Sequence, residues 1–264
     1  MIKIESIKRF KNRYTGKGLA VAITLGGNSL KLKQSLAPQF LSLSIIPEKR
    51  FLGSGSKELN EQVVCSKDCD HFNVKALNKP FEPCYVVQFR TIGSFYKRGS
   101  EELKDSKELT VFNGMYHLRI SQFGDIGVLD DQGLDYVYQL VMNSKTVLGY
   151  SADWRHEHLQ AFKPFVLASI TSESSQIEAH KLGFNVYDSD KRRSFKESAL
   201  VSKSLGFTMV KCMVSGSSKE PLKTLEFNRG CSTCKTPCGS SGFSVKSPDA
   251  KALLKSAEMR LQHV

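Results

Sequence analysis

Residues 130–154 read DDQGLDYVYQLVMNSKTVLGYSADW. In the first half, Leu134, Val137, Leu140 and Val141 recur at the spacing of one helix face, and Asp130 or Asp131 stands where an N-cap belongs. In the second half, TVLGYSADW is apolar and β-prone, and reads as a strand. A helix followed at once by a strand is half of a βα repeat, and the neighbouring sequence continues it. Upstream, YVVQFRTI (85–92) and YHLRISQFGDIG (116–127) are strand-like. Downstream come a short helix in HEHLQAF (156–162), a buried strand in PFVLASITS (164–172) and a helix in SSQIEAHKLG (174–183). That helix carries a capping box at Ser175 and Glu178, and Gly183 is placed to end it. FNVYDSD (184–190) and FTMVKCMVS (207–215) complete the series, and a last helix opens at Ser247-Pro248-Asp249 with Leu253, Leu254, Ala257 and Leu261 on one face.

Four or five such units predict an α/β fold with a parallel sheet, either open or curled into a partial (β/α) barrel. Residues 1–60 form a strand-rich lead-in, with GLAVAITLGG and QFLSLSIIPEKRF as its β segments. Residues 61–215 form the α/β partial-barrel domain. Residues 216–264 add a cysteine-rich loop and the C-terminal helix to the same domain. The glycines of FLGSGSKE (51–58) lack the Gly-Lys-Ser/Thr ending of a phosphate loop and read as a plain loop.

In parallel α/β folds the working residues lie at the C-terminal ends of the strands. There the sequence places Gly124 and Asp125, then Tyr150, Asp153 and Trp154, then Ser169, Thr171 and Glu173, then Asp188 and Asp190, and finally Cys212. Thr171, Ser172, Asp188 and Asp190 suit helix caps and loops. Asp125, between glycines in GDIG, is the better functional candidate, with Gly124 allowing close backbone approach to a ligand. Arg119 lies within an apolar strand and needs a buried partner, a part Asp125 fits. Asp125, Arg119 and Tyr150 are therefore the candidate catalytic residues.

The seven cysteines fall in two groups separated by more than a hundred residues. An odd number cannot pair completely, and metal or iron–sulfur ligation is the economical reading. Cys212, Cys231, Cys234 and Cys238 supply four thiolates, enough for a tetrahedral zinc site or a four-iron cluster, and the last three lie in the turn-rich stretch FNRGCSTCKTPCGSSG (227–242). Cys65, Cys69 and Cys84 supply three, which leaves one ligand position for a cofactor or substrate, unless His71 closes the site. A single combined site drawing on both groups is a further alternative.

Lysine and arginine outnumber aspartate and glutamate by 38 to 26, a net charge of +12. Such a surplus favours polyanionic partners, nucleic acid above all. No run approaches the roughly 18 apolar residues of a membrane span, and the charged opening MIKIESIKRFKNRY has no signal-peptide core, so the expected location is the cytoplasm.

The order LRISQFGDIG, GYSADWR, FVLASI, EAHKLGFNV and a distal cysteine cluster resembles an uncharacterised phage- and plasmid-borne family. Cys65, Cys69, Cys84 and Tyr85 match its upstream motif, Gly124 and Asp125 its Gly-Asp turn, and Gly149, Tyr150 and Trp154 its aromatic segment. Ser151 and Ala152 stand where the family tends to have Thr and His, and the interval before Cys238 is one residue longer. The family is in turn distantly similar to phage proteins with radical-SAM-like partial barrels. That likeness implies an open four-iron cluster on the upstream cysteines, a second cluster on the distal four, and S-adenosylmethionine as a cofactor. The usual Cys-x3-Cys-x2-Cys spacing is replaced here by an interval of fourteen before Cys84.

Three functions follow as expectations. One is a metal- or iron–sulfur-binding protein of a mobile element, in the form of a degenerate radical-SAM-like enzyme. The second is a zinc-stabilised DNA-binding protein serving replication or regulation of the element. The third is a rolling-circle initiator, in which His156 and His158 mimic a paired-histidine metal motif and Tyr187 the nucleophile; the helical character of RHEHLQAF argues against it.

Overall fold

The computed structural model describes residues 3–25, 40–53, 60, 62–69, 93–105, 116–189, 192–211 and 244–246. The lead-in forms three strands, β1 (Lys3–Lys11), β2 (Gly18–Leu25) and β3 (Phe40–Pro47). β1 pairs antiparallel with β2, and β2 antiparallel with β3. Leu19, Ala20, Val21, Ala22 and Ile23 are all fully buried, because β2 lies between two strands and is covered on both faces, which explains its unbroken apolar run.

From β3 onward the pairing is parallel. β3 lies beside β4 (His117–Arg119), and β4 beside β5 (Thr146–Leu148). The lead-in and the α/β repeat therefore share one sheet, ordered β1-β2-β3-β4-β5. Between β4 and β5 runs α1 (Asp131–Met142), with Asp130 as its N-cap: the Asp130 carboxylate accepts from Gly133 N–H at 2.9 Å. Leu134, Val137, Leu140 and Val141 are buried, as their spacing requires, each adding about 1.5–3 kcal/mol of apolar burial.

The segment read as one strand, TVLGYSADW, divides at Gly149 into β5 and the short β6 (Tyr150–Ser151), which opens a second sheet. A 3-10 helix (Glu157–Phe162) leads to β7 (Leu167–Ile170), followed by α2 (Glu173–Lys181), β8 (Val186–Asp188), α3 (Phe195–Ser204), β9 (Met209–Lys211) and β10 (Ser244–Lys246). This sheet is parallel throughout, in the order β6-β7-β8-β10-β9. Among the described residues the strands thus register as two five-stranded sheets, one mixed and one parallel.

Two local expectations are corrected. The cap of α2 is Ser172, whose hydroxyl accepts from Ser175 N–H, so the helix starts earlier than a capping box at Ser175 and Glu178 would place it. Among the described residues a capping box is formed by Ser194 with Glu197, at the start of α3, a helix whose thin apolar face gives little periodic signal. Polar contacts instead hold α2 and α3 together. Gln176, fully buried, donates to Ser198 O and Ser202 Oγ, and its carbonyl accepts from Arg193. Arg193 also pairs with the buried Asp188 at 3.2 Å, and His180 bridges Phe184 O and Ser202 Oγ. The strand expected at 85–92, the cysteine-rich loop and the final helix lie outside the described residues.

Candidate functional site

β4 ends in a tight descent to α1 that places Asp125. Gly124 has φ +72°, and a Cβ there would stand 2.6 Å from Ile45 O and 2.8 Å from Ile45 Cβ. Only glycine fits, because the carbonyls of Ile45 and Val64 and the Ile45 side chain crowd this position. Asp125 then caps the 3-10 turn Ile126–Val128. One carboxylate oxygen accepts from Gly127 N–H at 3.0 Å and Ser151 Oγ at 2.7 Å, and the other from Ala152 N–H at 2.6 Å. Burial pushes the Asp125 carboxyl up to about 6, and the nearby Asp153 charge adds to this, against the pull of those hydrogen bonds. Asp125 is a positioning residue: its three donors tie the turn to β6.

What it positions is Asp153, 1% exposed. Asp153 Oδ2 accepts from the Tyr14 hydroxyl at 2.6 Å, and Oδ1 from Ser66 Oγ at 2.6 Å. His156 Nε2 lies 3.3 Å from Asp153 Oδ1 and 3.2 Å from Asp68 Oδ2. Asp68, Asp153 and His156 each offer one ligand atom, all within 4.8 Å of one another. His158 completes the wall: its Nε2 donates to Gly127 O at 3.0 Å, which fixes the tautomer, and its ring stacks on His156 with centroids 5.5 Å apart. Burial, then the Arg13 charge, lowers the His158 pKa. Burial and the Asp153 hydrogen bond raise that of Tyr14 well above the ordinary tyrosine range. A Cβ on Gly127 would fall 2.3 Å from Asp153 Cβ and Oδ2, so this glycine makes room for the carboxylate.

Cys65 and Cys69, both half-buried, flank this site. Between them Ser66 binds Asp153 with its hydroxyl, which also accepts from Asp68 N–H at 3.1 Å, while Cys69 N–H closes the turn on Ser66 O at 3.2 Å. Cys84, Cys212, Cys231, Cys234, Cys238 and His71 lie outside the described residues. Tyr150 packs its ring on Tyr187, centroids 4.6 Å apart. Arg119 is 5% exposed, and no ion pair joins it to Asp125, whose oxygens are already taken by Gly127, Ser151 and Ala152. The expected pairing of the two is therefore not what the fold builds.

Tyr14, Ser66 and Asp68 carry no signal in the sequence, since they reach Asp153 from far along the chain. His156 and His158 did carry one, the spacing Asp-x2-His-x-His in DWRHEH, but it reads as chemistry only once Asp68 stands opposite. Comparison with protein-family models, with curated proteins and with solved structures finds no match.

Proposed function

We propose that this chain is a metal-binding protein whose ion is held by Asp68, Asp153 and His156. Donor spacing carries the reading. Two ligand atoms at about 2.1 Å from one ion stand roughly 3.0–3.4 Å apart in octahedral or tetrahedral geometry, and the two His156–carboxylate separations are 3.2 and 3.3 Å. Two carboxylates and one imidazole suit zinc, manganese or ferrous iron. Tyr14 and Ser66, bonded to the oxygens of Asp153, orient that ligand in the manner of outer-shell partners elsewhere. Bound there, the ion would supply Lewis acidity and an activated water. The site as part of one partial (β/α) barrel, formed by both sheets, belongs to the same proposal.

Metal analysis of the purified chain tests it. One equivalent of zinc, manganese or iron is expected, lost in His156→Ala and Asp153→Asn. A wild type that neither retains nor takes up any of the three ions would end the reading.

A second reading, an iron–sulfur cluster on Cys65, Cys69 and Cys84 with S-adenosylmethionine beside it, draws support from the turn that holds Cys65 and Cys69 next to Asp153. Anaerobic preparation with acid-labile sulfide and paramagnetic resonance measurements separates the two readings. A nucleic-acid partner has behind it the net charge of +12 and the basic stretches KRFKNRYTGKG (8–18) and KRR (191–193).

A further inference from the structure

We infer that Arg119 anchors a binding site for a small oxyanion, phosphoryl or carboxylate, on the sheet face shared by β3 and β4. In β4, Leu118 is buried in the apolar core, and strand alternation turns Arg119 to the opposite face. Ser42 is the register partner of Arg119 across β3, and Ser44, two residues on, lies on the same face. All three are buried, at 5%, 0% and 1% exposure.

Several polar atoms here have no partner among the described residues. Arg119 Nε and Nη1 have no hydrogen-bond partner, and neither do Ser42 Oγ, Ser44 Oγ or Ser121 Oγ. Ser42 stands opposite Arg119, yet no hydrogen bond joins them. Ser121, two residues beyond the arginine, holds φ +54°, a left-handed conformation that non-glycine residues adopt at a cost and that recurs at functional sites.

The energetics point one way. An unpaired cation out of water is among the costliest features a fold can hold, and buried arginines are almost always matched by an acceptor charge. The obvious internal candidate, Asp125, is saturated by Gly127, Ser151 and Ala152. Nε and Nη1 together carry three N–H donors, and the hydroxyls of Ser42 and Ser44 on β3 and of Ser121 just past β4 are also unpartnered. Unpaired donors beside a fixed positive charge suit an anion with several acceptor oxygens. The site uses none of Asp68, Asp153 and His156, so it stands whether or not a metal binds there.

Calorimetric titration of the full chain with inorganic phosphate, and separately with acetate, tests the inference. The wild type is expected to bind one equivalent of at least one of them. Arg119→Met is expected to lose at least about tenfold in affinity, the scale of one charge-assisted hydrogen bond. Arg98→Met, which removes an exposed charge, is expected to bind like the wild type and so to exclude the diffuse attraction of a basic surface. Preference for phosphate assigns a phosphoryl-bearing ligand, and preference for acetate a carboxylate. Should Arg119→Met not fold, the double variant Ser42→Ala/Ser44→Ala keeps the guanidinium, and a several-fold loss of affinity is expected. The inference is overturned if the wild type binds neither anion, if Arg119→Met binds as the wild type does, or if the Arg98→Met loss equals that of Arg119→Met. Unchanged affinity in the serine double variant, where that variant stands in, overturns it too.

Discussion

The Tyr14 hydroxyl donates a 2.6 Å hydrogen bond to Asp153 Oδ2 across 139 residues of chain, fastening the turn after β1 to the buried carboxylate beyond β6. The same carboxylate receives Ser66, from the loop that carries Asp68. One buried charge thus gathers three distant segments.

Removing the Tyr14 hydroxyl tests that fastening. Tyr14→Phe keeps the ring but leaves Asp153 one donor short, and a loss of about 1.5 kcal/mol is expected, since hydrogen bonds to charged groups fall near that value. Urea unfolding at neutral pH measures it; an unchanged midpoint would mean that the bond contributes nothing.

Gly127→Ala places a methyl group 2.3 Å from Asp153 Cβ and Oδ2. Overpacking of this kind costs about 1–3 kcal/mol, and relief requires moving the carboxylate. Metal uptake is expected to fall by tenfold or more in a protein that still folds, read by metal titration beside circular dichroism.

Zinc or manganese is expected to raise the melting temperature of metal-free wild type. Binding at a hundred times the dissociation constant adds about 2.7 kcal/mol to the folded state. His156→Ala and Asp68→Asn should show no such rise. A rise of equal size in these variants would place the ion elsewhere.

Two buried groups give opposite pH dependences in metal-free protein. Asp125 is raised from 3.8 to about 6, so the native state binds its proton more tightly than the unfolded chain does. Its contribution is therefore full below about pH 4 and fades as pH rises through 6. His180 is lowered from 6.5 by burial. Its contribution is full above about pH 6.5 and is lost as pH falls through its folded value. Urea midpoints across pH 4–8 should lose the first slope in Asp125→Asn and the second in His180→Gln. Asp125→Asn should also be less stable at every pH, because an amide offers one acceptor oxygen where three donors converge.

Local physics made much of the fold legible in the sequence. The spacing of Leu134, Val137, Leu140 and Val141 is a property of one turn after another, so α1 and its buried face follow from the chain itself. The β-prone runs at 18–25, 40–47 and 167–170 are equally local, and so is the end of α2 at Gly183, whose φ is +83°. What those rules do not contain is pairing: that β3 of the lead-in joins β4 in parallel, or that β10 slips between β8 and β9, depends on contacts far apart in the chain. α3 escaped notice because its burial rests on Ser198 and Ser202, bonded to Gln176 and His180, rather than on an apolar stripe.

The candidate site divides in the same way. Residue type and position were enough to single out Asp125 and Arg119, but not to say what each touches. Asp125 meets backbone donors and Ser151, and among the described residues Arg119 meets no carboxylate. Sequence fixes which charges exist and which strand each rides on. Which charges meet is decided only when the sheets close, because a buried charge takes its partner from whatever the fold brings within about 3 Å, whatever the distance along the chain.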